Sequence, residues 1–326
     1  MGERTHALDA ADRDGDNMTK IAFCFPGQGS HEQGMGRDIA EAIPAARAVF
    51  ERGSAASGLD LERLCFHAEH DELLDTAVQQ PALVATSLAM LAALQDRGVE
   101  ADFVIGHSVG EFAALAAAEA MSVEEAISLV RERGLAMAEA AARNPGSMAA
   151  ILGLADERVE ALCRGILGVW PANYNCPGQI VVSGENDAVD ACIERAQSEG
   201  ARRAVKLKVS GAFHSPLVAR AADRLRPAIE KVKFQEPVAP FMSTVTARVE
   251  SAQRIGPLLV DQLTAPVRFT QSATELMRAG VKTFVEVGPG NVLSGLVKRI
   301  DRSVHTVSIN NLDSLERLPE LLSSQA

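Results

Sequence analysis

A serine between two glycines is the part of this sequence best suited to do chemistry. In "VIGHSVGEF" (residues 104–112), an apolar run precedes Ser108 and an alanine-rich helical pattern follows it. Gly-x-Ser-x-Gly at the junction of a strand and a helix forces a sharp turn that exposes the serine hydroxyl as a nucleophile. The N-terminus of the helix adds partial positive charge, which suits a developing oxyanion. The motif therefore predicts acyl chemistry at Ser108.

A serine hydroxyl needs a general base, and His214 is the best candidate among seven histidines. It lies in "KVSGAFHSPL", where Gly and Pro turn chemistry is typical of a side chain presented from a rigid loop. His107 is expected to be structural, because neighbours on a strand point to opposite faces. His67 and His70 lie in a charged stretch and are expected at the surface. On the residues alone, a purely structural, buried His214 is an open alternative.

No carboxylate stands out as the third member of a Ser-His-Asp triad. Asp223, Asp261 and Glu286 are possible, but their surroundings are ordinary. A main-chain carbonyl can orient a histidine in place of a carboxylate and fix its tautomer. The expected site therefore departs from that of a usual serine hydrolase.

Two further stretches have residues suited to an active site. The first stretch is "FPGQGSHEQGMG" (25–36), which matches neither the P-loop nor the Gly-x-Gly-x-x-Gly pattern of nucleotide-binding loops. Because it follows the first strand, the backbone N–H of Gln28 is a candidate for the second donor to an oxyanion. Arg131 and Arg133 lie two residues apart on a predicted helix, so they face different directions and one can turn inward. A solvated surface charge is the alternative for Arg133.

Alternating strand-like and helix-like segments predict an α/β fold. The region 146–211 has the order β-α-β-β-α-β, which is ferredoxin-like and predicts a small subdomain inserted into a larger one. Ligands often bind in the cleft between two such units. The predicted divisions are a disordered tail (1–17), a large subdomain (18–145 and 212–315), the insert (146–211) and a C-terminal tail (316–326).

Composition excludes several classes of function. The 326-residue chain has a formal net charge of −11, which argues against a nucleic-acid or anionic-membrane partner. No stretch approaches eighteen uninterrupted apolar residues, and the N-terminal segment lacks the apolar core of a signal peptide. Five cysteines without metal-ligand spacing predict reduced thiols in a cytoplasmic protein with no metal site. A monomer is expected, because no extended apolar surface pattern stands out.

Seven motifs together resemble the malonyl-CoA:acyl-carrier-protein transacylases, with the polyketide-synthase acyltransferase domains as close relatives. The resemblance covers about residues 20–310 and implies an α/β-hydrolase-like large subdomain with an inserted ferredoxin-like small subdomain. The motifs occur in the family's order: "FPGQGSHEQGMG", "GHSVGEF", "RERG", "NYNCPGQIVVSG", "SGAFHSPL", "QLTAPVRF" and "VEVGPGNVLSGL".

The resemblance implies a role for individual residues. Ser108 is the acylated nucleophile and His214 its general base, while Gln28 and Val109 contribute oxyanion N–H groups. Arg133 pairs with the free carboxylate of a malonyl group, for which a planar guanidinium is well matched. The remaining implied residues are Gln262, beside the main-chain carbonyl that orients the base, and Phe213 and Met137 in the acyl pocket.

The implied reaction transfers malonyl from its coenzyme A thioester to the phosphopantetheine thiol of acyl carrier protein, with no bound cofactor. Phe213 resembles the bulky residue of malonyl-selective members, where it crowds an α-methyl group. "PFMSTVTA" (240–247) looks more like the polyketide enzymes, so both fatty-acid synthesis and a trans-acting polyketide role are open. Two alternatives belong to other classes of function. One is a serine thioesterase or esterase, and the other is a non-catalytic module that binds the carrier.

The acidic carrier should need a local basic surface on this acidic chain. "ARRAVKLKV" and "LVKRIDR" are the densest basic stretches. We expect Lys298 and Arg299, with Arg202 or Arg203, to flank the cleft and steer the carrier. The alternative is that both basic stretches are ordinary solvent-exposed surfaces with no role in binding the carrier.

Overall fold

The computed structural model describes residues 20–69 and 71–323, and these form two β-sheets with surrounding helices. The larger sheet has six strands in the order β10-β9-β1-β2-β7-β8, and the smaller has four in the order β4-β5-β3-β6. The predicted tail at 1–17 and His70 lie outside the described residues. The strands are β1 Lys20–Phe25, β2 Phe103–Gly106, β3 Ser147–Leu152, β4 Val169–Cys176, β5 Gln179–Gly184, β6 Arg203–Lys206, β7 Phe241–Ser243, β8 Arg248–Glu250, β9 Val281–Val287 and β10 His305–Ile309.

Helices cover the sheets and account for about half of the described chain. Short 3-10 turns at Glu72–Leu74 and Pro216–Val218 precede α4 and α9 respectively. The helices are α1 Arg37–Ala42, α2 Pro44–Ser57, α3 Leu61–His67, α4 Thr76–Gln95, α5 Gly110–Ala117, α6 Val123–Arg143, α7 Asp156–Arg164, α8 Asn186–Ser198, α9 Ala219–Ile229, α10 Ala252–Asp261, α11 Phe269–Arg278, α12 Val292–Ile300, α13 Leu312–Glu316 and α14 Leu318–Ser323.

The larger sheet is parallel except at one edge. Strand β1 pairs in parallel with β2 and β9, β10 joins β9, and β7 joins β2, whereas β8 is antiparallel to β7. Both faces of a parallel sheet are covered, so its strands are continuous apolar runs such as "KIAFCF". The carboxyl ends of β1 and β2 therefore lie side by side, which brings the loops after Phe25 and Gly106 together.

Helix α4 is the most deeply buried long helix. By length and composition it could cross a membrane, but 89% of its apolar window is buried inside the protein. It packs against α2, α5 and α6, and a helix apolar on all sides is expected in such a core position.

The smaller sheet is antiparallel and carries α7 and α8, which gives the β-α-β-β-α-β order. Its core is separate from that of the larger sheet. Asn173 and Val267 form a β-bridge that joins the two parts. The predicted fold class, an α/β-hydrolase-like subdomain with a ferredoxin-like insert, is confirmed. We propose that the insert spans residues 146–211 and that the large subdomain consists of residues 18–145 and 212–315.

A proline separates the first two helices. Ile43 is extended before Pro44, as a residue preceding proline tends to be, so α1 ends before α2 begins. The C-terminal tail expected from 316 contains α14, whose Leu318 is buried at 2% exposure. Its leucines cover an apolar face of β10, a strand that the sequence analysis did not identify.

Candidate active site

Ser108 lies on a sharp turn between β2 and α5. Its φ is +53°, a left-handed conformation that a residue with a side chain seldom adopts. Such strain persists only where the surrounding structure enforces it, and it clusters at functional sites. A Cβ on Gly106 would lie 2.1 Å from the backbone nitrogen of Glu111, and one on Gly110 would lie 2.1 Å from the carbonyl oxygen of Phe25. The two glycines are therefore required for the turn to close.

The first prediction concerns these glycines. We expect Gly106→Ala to destabilise the protein by about 3 kcal/mol and to abolish activity, because the added methyl meets backbone atoms that cannot move aside. Gly295→Ala is the matched control, since no atom lies within 4 Å of a Cβ there and the site is inside a helix. It should stabilise the fold by about 0.5–1 kcal/mol. Equal melting temperatures for the two variants would contradict the argument.

Ser108 and His214 form a direct hydrogen bond, with 2.8 Å between the serine Oγ and the histidine Nε2. The other ring nitrogen, Nδ1, lies 2.9 Å from the carbonyl oxygen of Gln262 and 3.1 Å from that of Ala265. Carbonyl oxygens only accept, so Nδ1 carries the proton and Nε2 accepts from the serine. Burial, and then the Arg133 charge, lower the pKa of His214 to about 3. The histidine is neutral and held in one tautomer, which leaves Nε2 free to act as a base.

The three carboxylates considered as triad members do not contact His214. Asp223 and Asp261 are exposed. Glu286 is buried but accepts hydrogen bonds from the backbone N–H groups of Leu293 and Ser294, at the start of α12. Main-chain carbonyls occupy the position that an acid holds in a triad.

Arg133 is buried at 1% exposure beside Ser108. One terminal nitrogen, Nη2, donates to Ser108 Oγ at 3.1 Å and to Gln262 Oε1 at 2.9 Å, while Nη1 donates to Gln80 Oε1 at 2.7 Å. Its Nε–H has no partner among the described residues. Burial lowers its pKa to about 10, so the guanidinium stays charged at neutral pH. Arg131 turns away and donates to the carbonyl of Ala77.

Glu111 belongs to the same cluster, and the sequence analysis missed it. It is fully buried and accepts from the backbone N–H of Thr244 at 2.6 Å, from the Thr244 hydroxyl at 2.8 Å, and from the side-chain amide of Gln262. Burial raises its pKa to about 7. A signal was present in the sequence, since Glu111 directly precedes the apolar run "FAALAAA" of a helix expected to pack behind the strand.

A cavity of about 380 Å³ opens between the two sheets and reaches the Ser108–His214 pair. Phe213, Met137 and Gln28 line it, whereas the buried Val109, Arg133 and Gln262 lie behind its described lining. The smaller sheet contributes polar and apolar side chains: Asn173, Asn175, Gln179 and Val181.

His107 also lines the cavity, 2.9 Å from Asn175 Oδ1 through its Nε2. His107 does not lie on the face opposite Ser108 as expected, because β2 ends at Gly106 and the serine has left-handed backbone angles. His107 joins the nucleophile's turn to the smaller sheet.

Other predicted residues lie around the entrance. The Gln28 side chain donates to Thr76 Oγ1 at 3.3 Å and ties its loop to α4. Lys298 and Arg299 are exposed on the last turn of α12, and Arg299 donates to Gln179 Oε1 at 2.5 Å. Arg203 is exposed at the start of β6 in the smaller sheet, and Arg202 is exposed directly before it. In the described part of the chain no group of three or more His, Cys, Asp or Glu residues could hold a metal ion.

Comparison with known proteins gives consistent results. Residues 22–318 match the family described as "Acyl transferase domain". The malonyl CoA-acyl carrier protein transacylase of Bacillus subtilis is 41% identical over 313 residues, which are 94% of this chain and 99% of that protein. The acyl-carrier-protein S-malonyltransferase of Bartonella henselae superposes with a TM-score of 0.89 at 39% identity, covering 93% of this chain and 99% of that one. A malonyl-transacylase in complex with its type II polyketide-synthase acyl-carrier protein gives a TM-score of 0.89 at 37% identity, covering 93% and 99%.

Proposed function

Because this chain belongs to the acyl transferase domain family, we propose that Ser108 and His214 pass a malonyl group from coenzyme A to acyl carrier protein. The protein is an acyltransferase, with malonyl-CoA:acyl-carrier-protein transacylase activity. The main support for a preference for the malonyl group is the 3.1 Å hydrogen bond from the Arg133 guanidinium to Ser108 Oγ. No bound cofactor is needed, since both acyl carriers are substrates.

The first half-reaction makes an ester on the enzyme. Ser108 Oγ attacks the thioester carbonyl while His214 Nε2 takes its proton, and collapse of the tetrahedral intermediate breaks the C–S bond. The departing thiol of coenzyme A receives the proton from His214. In the second half, His214 deprotonates the phosphopantetheine thiol of the carrier, which attacks the ester. Collapse of the intermediate breaks the bond to Ser108 Oγ, and His214 returns the proton to that oxygen.

The oxyanion of both intermediates is assigned to the backbone N–H groups of Val109 and Gln28. Val109 is at the N-terminal end of α5, where the helix dipole adds positive character. In the described residues neither N–H has an acceptor of its own. Preorganised donors of this kind stabilise the transition state strongly.

Arg133 is proposed to bind the free carboxylate of the malonyl group. The guanidinium offers a planar set of donors, and its unpartnered Nε–H adds one more. An acetyl group would leave this buried charge without its partner, which is energetically costly. Phe213 and Met137, both on the cavity wall, would then crowd an α-methyl group, although one methyl rarely changes rates more than about 200-fold.

We propose fatty-acid synthesis as the pathway, with a monomeric enzyme in the cytoplasm. A trans-acting role in polyketide synthesis is the second candidate. It is favoured by the solved relative whose partner is a type II polyketide-synthase acyl-carrier protein.

The proposed function is tested by following the acyl group. The protein is incubated with radiolabelled malonyl-CoA, and phosphopantetheinylated carrier protein is then added. Label that moves from protein to carrier supports transfer. Label that appears as free malonate would indicate a hydrolase instead, and the absence of any protein-bound label would indicate a carrier-binding module.

A second prediction concerns carrier docking at the entrance. We expect Lys298→Glu with Arg299→Glu to raise the KM for the acidic carrier at least tenfold and to weaken its dependence on salt, with little change in the KM for malonyl-CoA. Lys231→Glu, an exposed lysine whose side chain is not on the cavity wall, is the control. An unchanged carrier KM in the double variant would remove these two residues from the interface.

A further inference from the structure

A buried row of side chains runs from Glu111 to Arg133 with a fixed hydrogen-bond direction. Gln262 joins the two: its Nε2 donates to Glu111 and, at 3.0 Å, to the carbonyl oxygen of Ser108, and its Oε1 accepts from Arg133 at 2.9 Å. Glu111 is fixed in turn by two donors from Thr244. Glu111, Arg133 and Gln262 are each at most 1% exposed, so water does not compete for these bonds.

The direction of this row follows from the chemistry of its two ends. A carboxylate can only accept hydrogen bonds and a guanidinium can only donate them. The amide of Gln262 has one donor end and one acceptor end, so a charged Glu111 must face the NH₂ group. The amide oxygen is then left for Arg133. The reversed amide would place two donors against each other at the guanidinium and two acceptors at the carboxylate.

We propose that Glu111 is a positioning residue for acyl selection: as a carboxylate it orients the Gln262 amide, which holds the Arg133 guanidinium against Ser108 in the place where a dicarboxylic acyl group needs it. This inference rests on the proposed function, because it concerns the residue assigned to the malonyl carboxylate. The Glu111 carboxylate bonds to Thr244 and Gln262, not to Ser108 Oγ or the His214 ring.

Protonation of Glu111 should disturb the same row. A protonated carboxyl has an O–H that can donate, so the amide of Gln262 is no longer held in one orientation. Burial raises the pKa of Glu111 to about 7, and the Arg133 charge opposes that rise. The other titratable groups around the nucleophile are His214 and His107, and burial lowers the pKa of both. Malonyl transfer should therefore fall as the pH drops through about 7, while acetyl transfer changes little.

The test compares kcat/KM for malonyl-CoA and acetyl-CoA in Glu111→Gln. A glutamine at position 111 can present either end to Gln262, so we expect the malonyl-to-acetyl ratio to fall about 10- to 100-fold, mainly through KM, and to lose its dependence on pH. Glu286→Gln, a buried glutamate at the start of α12, should leave the ratio and its pH dependence unchanged. Equal losses for both acyl groups in Glu111→Gln would overturn the proposal.

Thr244→Val keeps the experiment decisive if Glu111→Gln does not fold. It removes one donor to Glu111 and keeps the backbone N–H, so the charged form is less favoured and the pH midpoint of malonyl transfer should move upward. An unmoved midpoint would count against Glu111.

Arg133→Ala distinguishes failure of the proposed function from failure of the inference about Glu111. If Arg133→Ala keeps the preference for malonyl over acetyl, the proposed function fails. If Arg133→Ala loses that preference but Glu111→Gln and Thr244→Val behave like the unaltered protein, only the inference about Glu111 fails.

Discussion

Ser108→Ala is expected to abolish the covalent malonyl-enzyme and to lower transfer to the carrier by about 10⁴-fold or more. Loss of the nucleophile removes the step on which both half-reactions depend, and its partner His214 then has no hydroxyl to activate. Intact-mass measurement after mixing with malonyl-CoA should show no gain of a malonyl group.

Ser210→Ala is the matched control for the nucleophile. This exposed serine lies four residues before His214, and its Oγ is 2.9 Å from that of Thr76. It should acquire the malonyl group normally. A malonyl adduct that persists in Ser108→Ala, or one that disappears in Ser210→Ala, would place the covalent step elsewhere.

Arg133→Ala is expected to change which acyl group is transferred. Removing one partner of a buried ion pair costs about 3–5 kcal/mol, so kcat/KM for malonyl-CoA should fall about 10²- to 10⁴-fold. Acetyl transfer makes no such ion pair and should lose less than about tenfold, since of the three hydrogen bonds that Arg133 makes only the one to Ser108 Oγ involves a reacting atom. The ratio of the two rates isolates the carboxylate contact.

Arg131→Ala provides the comparison on the same helix. Its side chain is half-buried and donates to the carbonyl of Ala77, away from the nucleophile. It should leave the malonyl-to-acetyl ratio unchanged. Circular dichroism of both variants checks that the fold survives the loss of charge beside Glu111. A parallel loss of malonyl and acetyl transfer in Arg133→Ala would show that the arginine does not select the acyl group.

The fold was predictable from the sequence because its signals are local. Apolar runs of strand length alternate with helical patterns, and the β-α-β-β-α-β order of the insert can be recognised from element order alone. Short helices and strands were harder to predict from the sequence. The three-residue strand β8 and the helices α13 and α14 gain their stability from packing against other elements, which no local pattern records.

The candidate site was predictable only in part. Ser108 is recognisable from its glycines, whose close backbone contacts are a local property. The network behind it is not local: Gln262 lies 154 residues from Ser108 along the chain, and Glu111 contacts Thr244 across 133 residues. Glu111 therefore appeared only as part of a motif, and its link to the guanidinium through Gln262 was visible only in three dimensions.

The carbonyl-held histidine limits which bonds this site can break. His214 faces two neutral carbonyl oxygens and lies near the Arg133 charge, so a proton taken from Ser108 is held weakly and must soon be passed on. A thiol, with a pKa near 8.5, is a weak base that can depart as a thiolate, whereas an amine leaves only after an imidazolium has formed and protonated its nitrogen. Because the lowered pKa of His214 makes that imidazolium costly to form, leaving-group basicity should favour thioesters and similarly activated esters over amides at this site.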